Sequence, residues 1–141
     1  AVMDEARQLV KDILGLDERY EVLFLQGGAT LGFYTVALNM MREGGKAAYA
    51  NTGVWAAAAI KEAKFFGEPV VVASSKDENY NHIPSGYTIP ETASYFHCTS
   101  NNTIFGTQMK EFPSLAIPVV CDMSSDIFSR VLDFTKFDMI F

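Results

Sequence analysis

The sequence predicts an α/β domain, a mostly parallel sheet of five or six strands with helices on both faces. Two observations carry this. Apolar strand-like runs alternate with helical patterns at connection lengths too long for hairpins. The run Pro69 to Ser74 (PVVVAS) is continuous and β-branched, as a strand buried on both faces should be.

The elements follow in order. Val2, Ala6, Leu9, Val10, Ile13 and Leu14 repeat at helical spacing, and Gly15 is a natural stop. Glu21 to Gln26 (EVLFLQ) reads as a first strand bounded by Gly27 and Gly28. Ala29 to Glu43 is helical and ends at Gly44-Gly45, and Lys46 to Asn51 is a second strand closed by Thr52-Gly53. Trp55 to Phe66 is an Ala-rich helix that stops at Gly67, ahead of the third strand at Pro69. Lys76 to Pro90 is a polar surface loop. Ser94 to Thr99 and Ala116 to Asp122 are the fourth and fifth strands, and Phe137 begins a sixth. No capping residue precedes Val2, and an apolar strand closes the chain. The expectation is one domain over residues 1–141, incomplete at both ends and part of something longer.

Composition narrows the function classes. Of 141 residues, 49% are hydrophobic and 20% charged, which excludes disorder. Eleven basic against seventeen acidic side chains, unclustered, argue against nucleic acid. The apolar runs are too short for a membrane span, and no basic-then-apolar leader opens the chain. Cys98 and Cys121 lie within apolar runs and read as reduced core residues, so the expected compartment is cytoplasmic. His82 and His97 have no second ligand at metal spacing, and no metal is expected.

In an open α/β sheet, ligands bind beyond the carboxyl ends of the strands. Four polar clusters follow strands here: Gly27 to Thr30, Asn51 to Gly53, Ser100 to Thr103, and Asp122 with Ser124 and Ser125. The first stands where a helix begins, an arrangement suited either to an anion or simply to a tight turn. It lacks a Walker lysine, and no acid between Glu43 and Glu62 meets the dinucleotide pattern. Asp122 leaves a buried strand and needs a partner, either a cap around Ser124 or a cationic ligand group. Trp55 suits either a core anchor or a ring stacked on a ligand.

The stretches VLFLQGGATLGF (22–33), AAYANTGVWAAAAIKEAKFFG (47–67), YFHCTSNNTIFGTQ (95–108) and CDMSSDIFSRVLDFTKF (121–137) resemble the phosphoserine aminotransferase family, fold-type I enzymes of class V. The resemblance implies the large cofactor-binding domain of an aspartate-aminotransferase-like fold, with pyridoxal 5′-phosphate as cofactor. It implies amino transfer between glutamate and 3-phosphohydroxypyruvate, giving 2-oxoglutarate and phosphoserine, in serine biosynthesis and, by family, pyridoxine biosynthesis. A homodimer is implied as well. Matched by position, the cofactor-binding residues are Ala29 and Thr30 at the phosphate, Trp55 stacked on the ring, Thr103 at the phenolic oxygen and Asp122 at the pyridine nitrogen. The family's Schiff-base lysine falls beyond Phe141, so no catalytic residue is expected within 1–141 and the chain alone is expected to be inactive. Val131 stands where the family has Pro, and Val54 where a small polar residue is common. The alternatives are another fold-type I aminotransferase or a non-catalytic α/β binding module.

Overall fold

A computed structural model describes residues 1–141. Three α-helices form: α1 (Val2–Leu14), α2 (Gly28–Met40) and α3 (Val54–Ala63). The strands are β1 (Lys46–Asn51), β2 (Glu68–Ser74), β3 (Phe96–Thr99), β4 (Asn101–Asn102), β5 (Thr107–Gln108), β6 (Val119–Asp122) and β7 (Met139–Ile140). Five of them make one sheet in the order β2-β1-β3-β6-β7, with every neighbouring pair parallel. From β1 the chain passes through α3 to β2 on one side. It then crosses back to β3 on the other side and continues outward to β6 and β7. The order therefore reverses between β1 and β3, and a crevice opens at their carboxyl ends. The antiparallel hairpin β4–β5 rises directly from the end of β3, at that crevice.

Both faces of the sheet carry a core. On one, Tyr49, Tyr95 and Val120 meet Phe33, Val36 and Ala37 of α2 and Ala59 and Ala63 of α3. Alanine at these contacts lets helix backbone approach strand backbone closely, which explains why α3 is Ala-rich. On the other face, Ala48, Ala50, Phe96 and Val119 pack against Leu14 of α1 and irregular segments bearing Met109, Phe112, Phe134 and Phe137. Cys98 and Cys121 sit opposite each other in this layer as free thiols, with Sγ atoms 3.6 Å apart. Burial first, then the neighbouring Cys98, pushes the Cys121 thiol well up and keeps it protonated.

Several expectations are corrected. Glu21 to Gln26 is not a strand. Its residues join no backbone hydrogen bond, and Leu23 and Leu25 are 68% and 70% exposed. A β-prone apolar run needs a ladder partner, and neither sheet edge offers it one. The PVVVAS run is a strand but not a doubly buried one. It is the edge strand β2, paired only with β1, and Val71 is 46% exposed. The apolar stripe of α1 buries only its C-terminal end. Leu14 and Lys11 are covered, whereas Leu9 and Ile13 face outward. The predicted stop at Gly15 does form, in the left-handed conformation. The fourth and fifth strands are shorter than expected, and the hairpin β4–β5 has no counterpart in the sequence reading.

Candidate functional site

Strand ends supply most walls of the crevice, and the start of α2, which follows no strand, supplies the other. Asn51 closes β1, and the chain turns through Thr52 and Gly53 into α3, whose first turn presents Trp55. Gly53 has extended backbone that any residue adopts, yet a Cβ there would lie 2.9 Å from Asn102 Oδ1. Asn102 is buried and joins two elements. Its Oδ1 accepts from Thr52 Oγ1 at 3.3 Å, and its Nδ2 donates to Thr107 Oγ1 at 3.0 Å. The amide thus ties the hairpin to the end of β1 and sets the position of Thr103. The Trp55 indole N–H donates to Thr103 Oγ1 at 3.2 Å.

Gly27 and Gly28 both have positive φ, 103° and 61°, and swing the chain into α2. No side chain caps this helix and no acid lies in its first turn. The first-turn N–H groups of Gly28, Ala29 and Thr30 therefore carry the positive end of the helix dipole with no acid in that turn to offset it.

Asp122 ends β6. Its Oδ1 accepts two hydrogen bonds, from Ser124 N–H at 3.0 Å and Ser124 Oγ at 2.5 Å, while Oδ2 has no protein partner. The backbone below is anchored by Ser100 N–H, which donates to Asp122 O at 3.0 Å. Ser100 Oγ also bonds Asp126, a buried carboxylate that pairs with Arg130 Nη2 at 3.1 Å and accepts from Gln108 Nε2 at 3.1 Å.

These pieces enclose a cavity of about 290 Å³ lined by Gly27, Gly28, Ala29, Thr30, Trp55, Thr103 and Asp122, among others. All five residues singled out in the sequence meet in it. Of the two alternatives for Asp122, the structure shows the cap: Oδ1 accepts from Ser124, and Oδ2 has no protein partner. The sequence reading missed the roles of Asn102, Asp126 and Arg130. Asp-x-Ser, where an Asp side chain bonds the residue two positions on, was the legible signal for the Ser124 contact. Nothing local marks Asn102 as a bridge, because its partners lie 50 residues back and five residues on. His97 lies in the helix-side core beneath, stacked on Tyr49 with ring centroids 5.0 Å apart. Neither of its ring nitrogens has a partner, and burial pushes its pKa down to about 3. No group of three His, Cys, Asp or Glu side chains is placed to hold a metal ion. No helix is long and apolar enough to cross a membrane.

A phosphoserine aminotransferase of Flavobacterium psychrophilum is 70% identical over all of this chain, which covers 40% of that protein. One from Parabacteroides distasonis is 55% identical, again over all of this chain and 39% of its own length. Among solved structures, phosphoserine aminotransferase from Bacillus circulans subsp. alkalophilus superposes with a TM-score of 0.93 at 42% identity, covering 97% of this chain and 39% of its own. The pyridoxal-phosphate-bound phosphoserine aminotransferase of Trichomonas vaginalis does so at 0.85 and 29%, covering 97% and 40%. The chain thus spans about two fifths of the length of these relatives. The family model described as aminotransferase class-V matches residues 1–141 from end to end, on a parallel sheet with its polar cavity at the strand ends, so the chain belongs to the class-V aminotransferase family.

Proposed function

We propose that the full-length protein is a phosphoserine aminotransferase that moves an amino group between glutamate and 3-phosphohydroxypyruvate with pyridoxal 5′-phosphate, in serine biosynthesis. The observation that carries this is the single cavity joining a bare helix start, an indole, a hydroxyl and a half-bonded carboxylate. Identity of 70% to a protein of that name supports the substrate assignment.

The residues present fit the cofactor. The N–H groups at Ala29 and Thr30 suit a phosphate, which the dipole of α2 would favour. Trp55 offers a flat wall for a ring. Thr103, held by the Trp55 indole, offers its hydroxyl proton to a phenolic oxygen. The free Oδ2 of Asp122 suits a protonated pyridine nitrogen, the cationic partner this buried carboxylate lacks within the chain. When bound, the cofactor supplies an electron sink for cleavage of a substrate Cα–H bond. Asp122 holds the proton on the ring nitrogen that makes this sink effective. The family's lysine, beyond Phe141, would take up and return the substrate proton. A partner subunit completing the phosphate site belongs to the same proposal.

The test is Asp122→Asn in the full-length protein. Asparagine keeps an Oδ1 acceptor for both Ser124 bonds, so the turn survives while the anionic acceptor Oδ2 becomes a neutral NH2 donor. Turnover with glutamate and 3-phosphohydroxypyruvate should fall by ~10²-fold or more with unchanged circular dichroism. Near-normal turnover would refute the assignment of Asp122.

A further inference from the structure

We propose that Ser124 is a positioning residue that fixes the plane of the Asp122 carboxylate and so holds one of its oxygens toward the cavity. The inference rests on the reading of Asp122 as partner of the cofactor nitrogen, and deepens it. The backbone of Asp122 is secured independently of Ser124. Ser100 N–H bonds Asp122 O at 3.0 Å, and Met123 N–H bonds Phe141 O at 2.8 Å. What these bonds leave free is rotation of the carboxylate about its terminal torsion, which is broad and roughly two-fold. Only Ser124 restrains it, because the Ser124 N–H and Oγ are the only protein groups on the carboxylate. Both converge on Oδ1. The plane of the carboxylate is thereby set, and Oδ2 is left as the acceptor toward the cavity. Ser124 is itself exposed in the chain, so its side chain contributes little by packing. Ser124 also lines the cavity, and the bond to Asp122 Oδ1 is the one protein contact of its hydroxyl.

The experiment compares Ser124→Ala, Ser124→Thr and Ser129→Ala with wild type in the full-length holoenzyme. Ser129 donates to Asp126 O, lies in the same turn and does not touch Asp122, so it controls for loss of a turn hydroxyl. Four readouts are taken: kcat, KM for glutamate, the pH at which the bound-cofactor absorbance titrates, and Tm. Ser124→Ala keeps the backbone N–H but loses the shorter bond, and should lower kcat roughly tenfold, as expected for a hydrogen bond to a charged group. It should also shift the absorbance titration, with KM within about twofold and Tm unchanged. Threonine restores the hydroxyl and should restore both kcat and the titration. Ser129→Ala should alter neither. The proposal is overturned if Ser124→Ala matches wild type in kcat and titration while Asp122→Asn is impaired. It is equally overturned if threonine fails to rescue, or if Ser124→Ala lowers Tm and kcat with no spectral shift. Normal turnover in Asp122→Asn would instead remove the cofactor-partner reading, and this inference with it.

Discussion

The imidazole of His97 should make the protein lose stability as pH falls through a window that removing the side chain abolishes. His97 is fully buried, and neither Nδ1 nor Nε2 finds a partner. Its surroundings are aromatic: Tyr49 stacked at 5.0 Å, Phe141 at 6.0 Å and Phe33 edge-on at 6.4 Å. Burial alone lowers its pKa from 6.5 to about 3. The unfolded chain binds a proton at the ordinary value near 6.5, whereas the folded chain stays neutral until near pH 3. Stability from this neutral, buried form is thus fully present above pH 6.5 and drains away as pH falls toward 3. Between pH 8 and pH 5 the linkage amounts to about 2 kcal/mol, with a limiting slope near one proton. That is a large share of a stability of about 5–15 kcal/mol.

The assay is urea denaturation of the cofactor-free full-length protein at a series of pH values, for wild type and His97→Leu. Carboxylates elsewhere titrate equally in both proteins and cancel in the difference. The difference curve should be flat above pH 7 and slope by one proton below pH 6. At high pH the leucine variant should gain stability of about 1 kcal/mol, because two unpaired buried nitrogens are removed. Parallel curves, or a His97 ring proton that titrates near pH 6.5 in the folded protein, would show that the imidazole has a partner. The reasoning would then fail.

Two further substitutions probe the supports around the cavity. Gly53→Ala would put a methyl 2.9 Å from Asn102 Oδ1, whose amide is pinned by Thr52 and Thr107, so it should cost about 1–3 kcal/mol in urea denaturation. It should also weaken cofactor binding in a spectroscopic titration, and unchanged binding would mean that Asn102 does not set the position of Thr103. Arg130→Ala strips the ion-pair partner from the buried Asp126, and should lower stability by about 3 kcal/mol even though Ser100 and Gln108 stay bonded to it. A loss below about 0.5 kcal/mol, the scale of surface pairs, would show that water reaches Asp126.

What could be read from the sequence, and what could not, divides along the range over which each feature is specified. The β1–α3–β2 unit was legible because its signals are local. Thr52-Gly53 ends a strand and alanines repeat at helical spacing, although the helix stops at Ala63, short of the expected Gly67. The cavity residues were legible for a related reason. In a parallel sheet every strand interior is consumed by the ladder and the two cores, so polar residues collect where strands end. Thr103 and Asp122 stand there, as does the turn leading to Trp55. Depth was not legible. PVVVAS and EVLFLQ look alike as strings, yet one is an edge strand and the other makes no ladder, because burial depends on which distant segments lie alongside. The same holds for the α1 stripe, half of which faces outward. The supports of the site are non-local in the same way. Asn102 acts through Thr52, and Asp126 through Ser100 and Gln108, pairs that no spacing rule connects. Ser124 is the instructive exception. Its contact with Asp122 spans two residues, so a local motif could carry it, but its consequence depends on Oδ2 facing a cavity that only the assembled sheet creates. On the proposed reading, a local hydrogen bond would acquire a chemical role from topology, since the strand order reverses between β1 and β3 where the cavity opens beside Asp122.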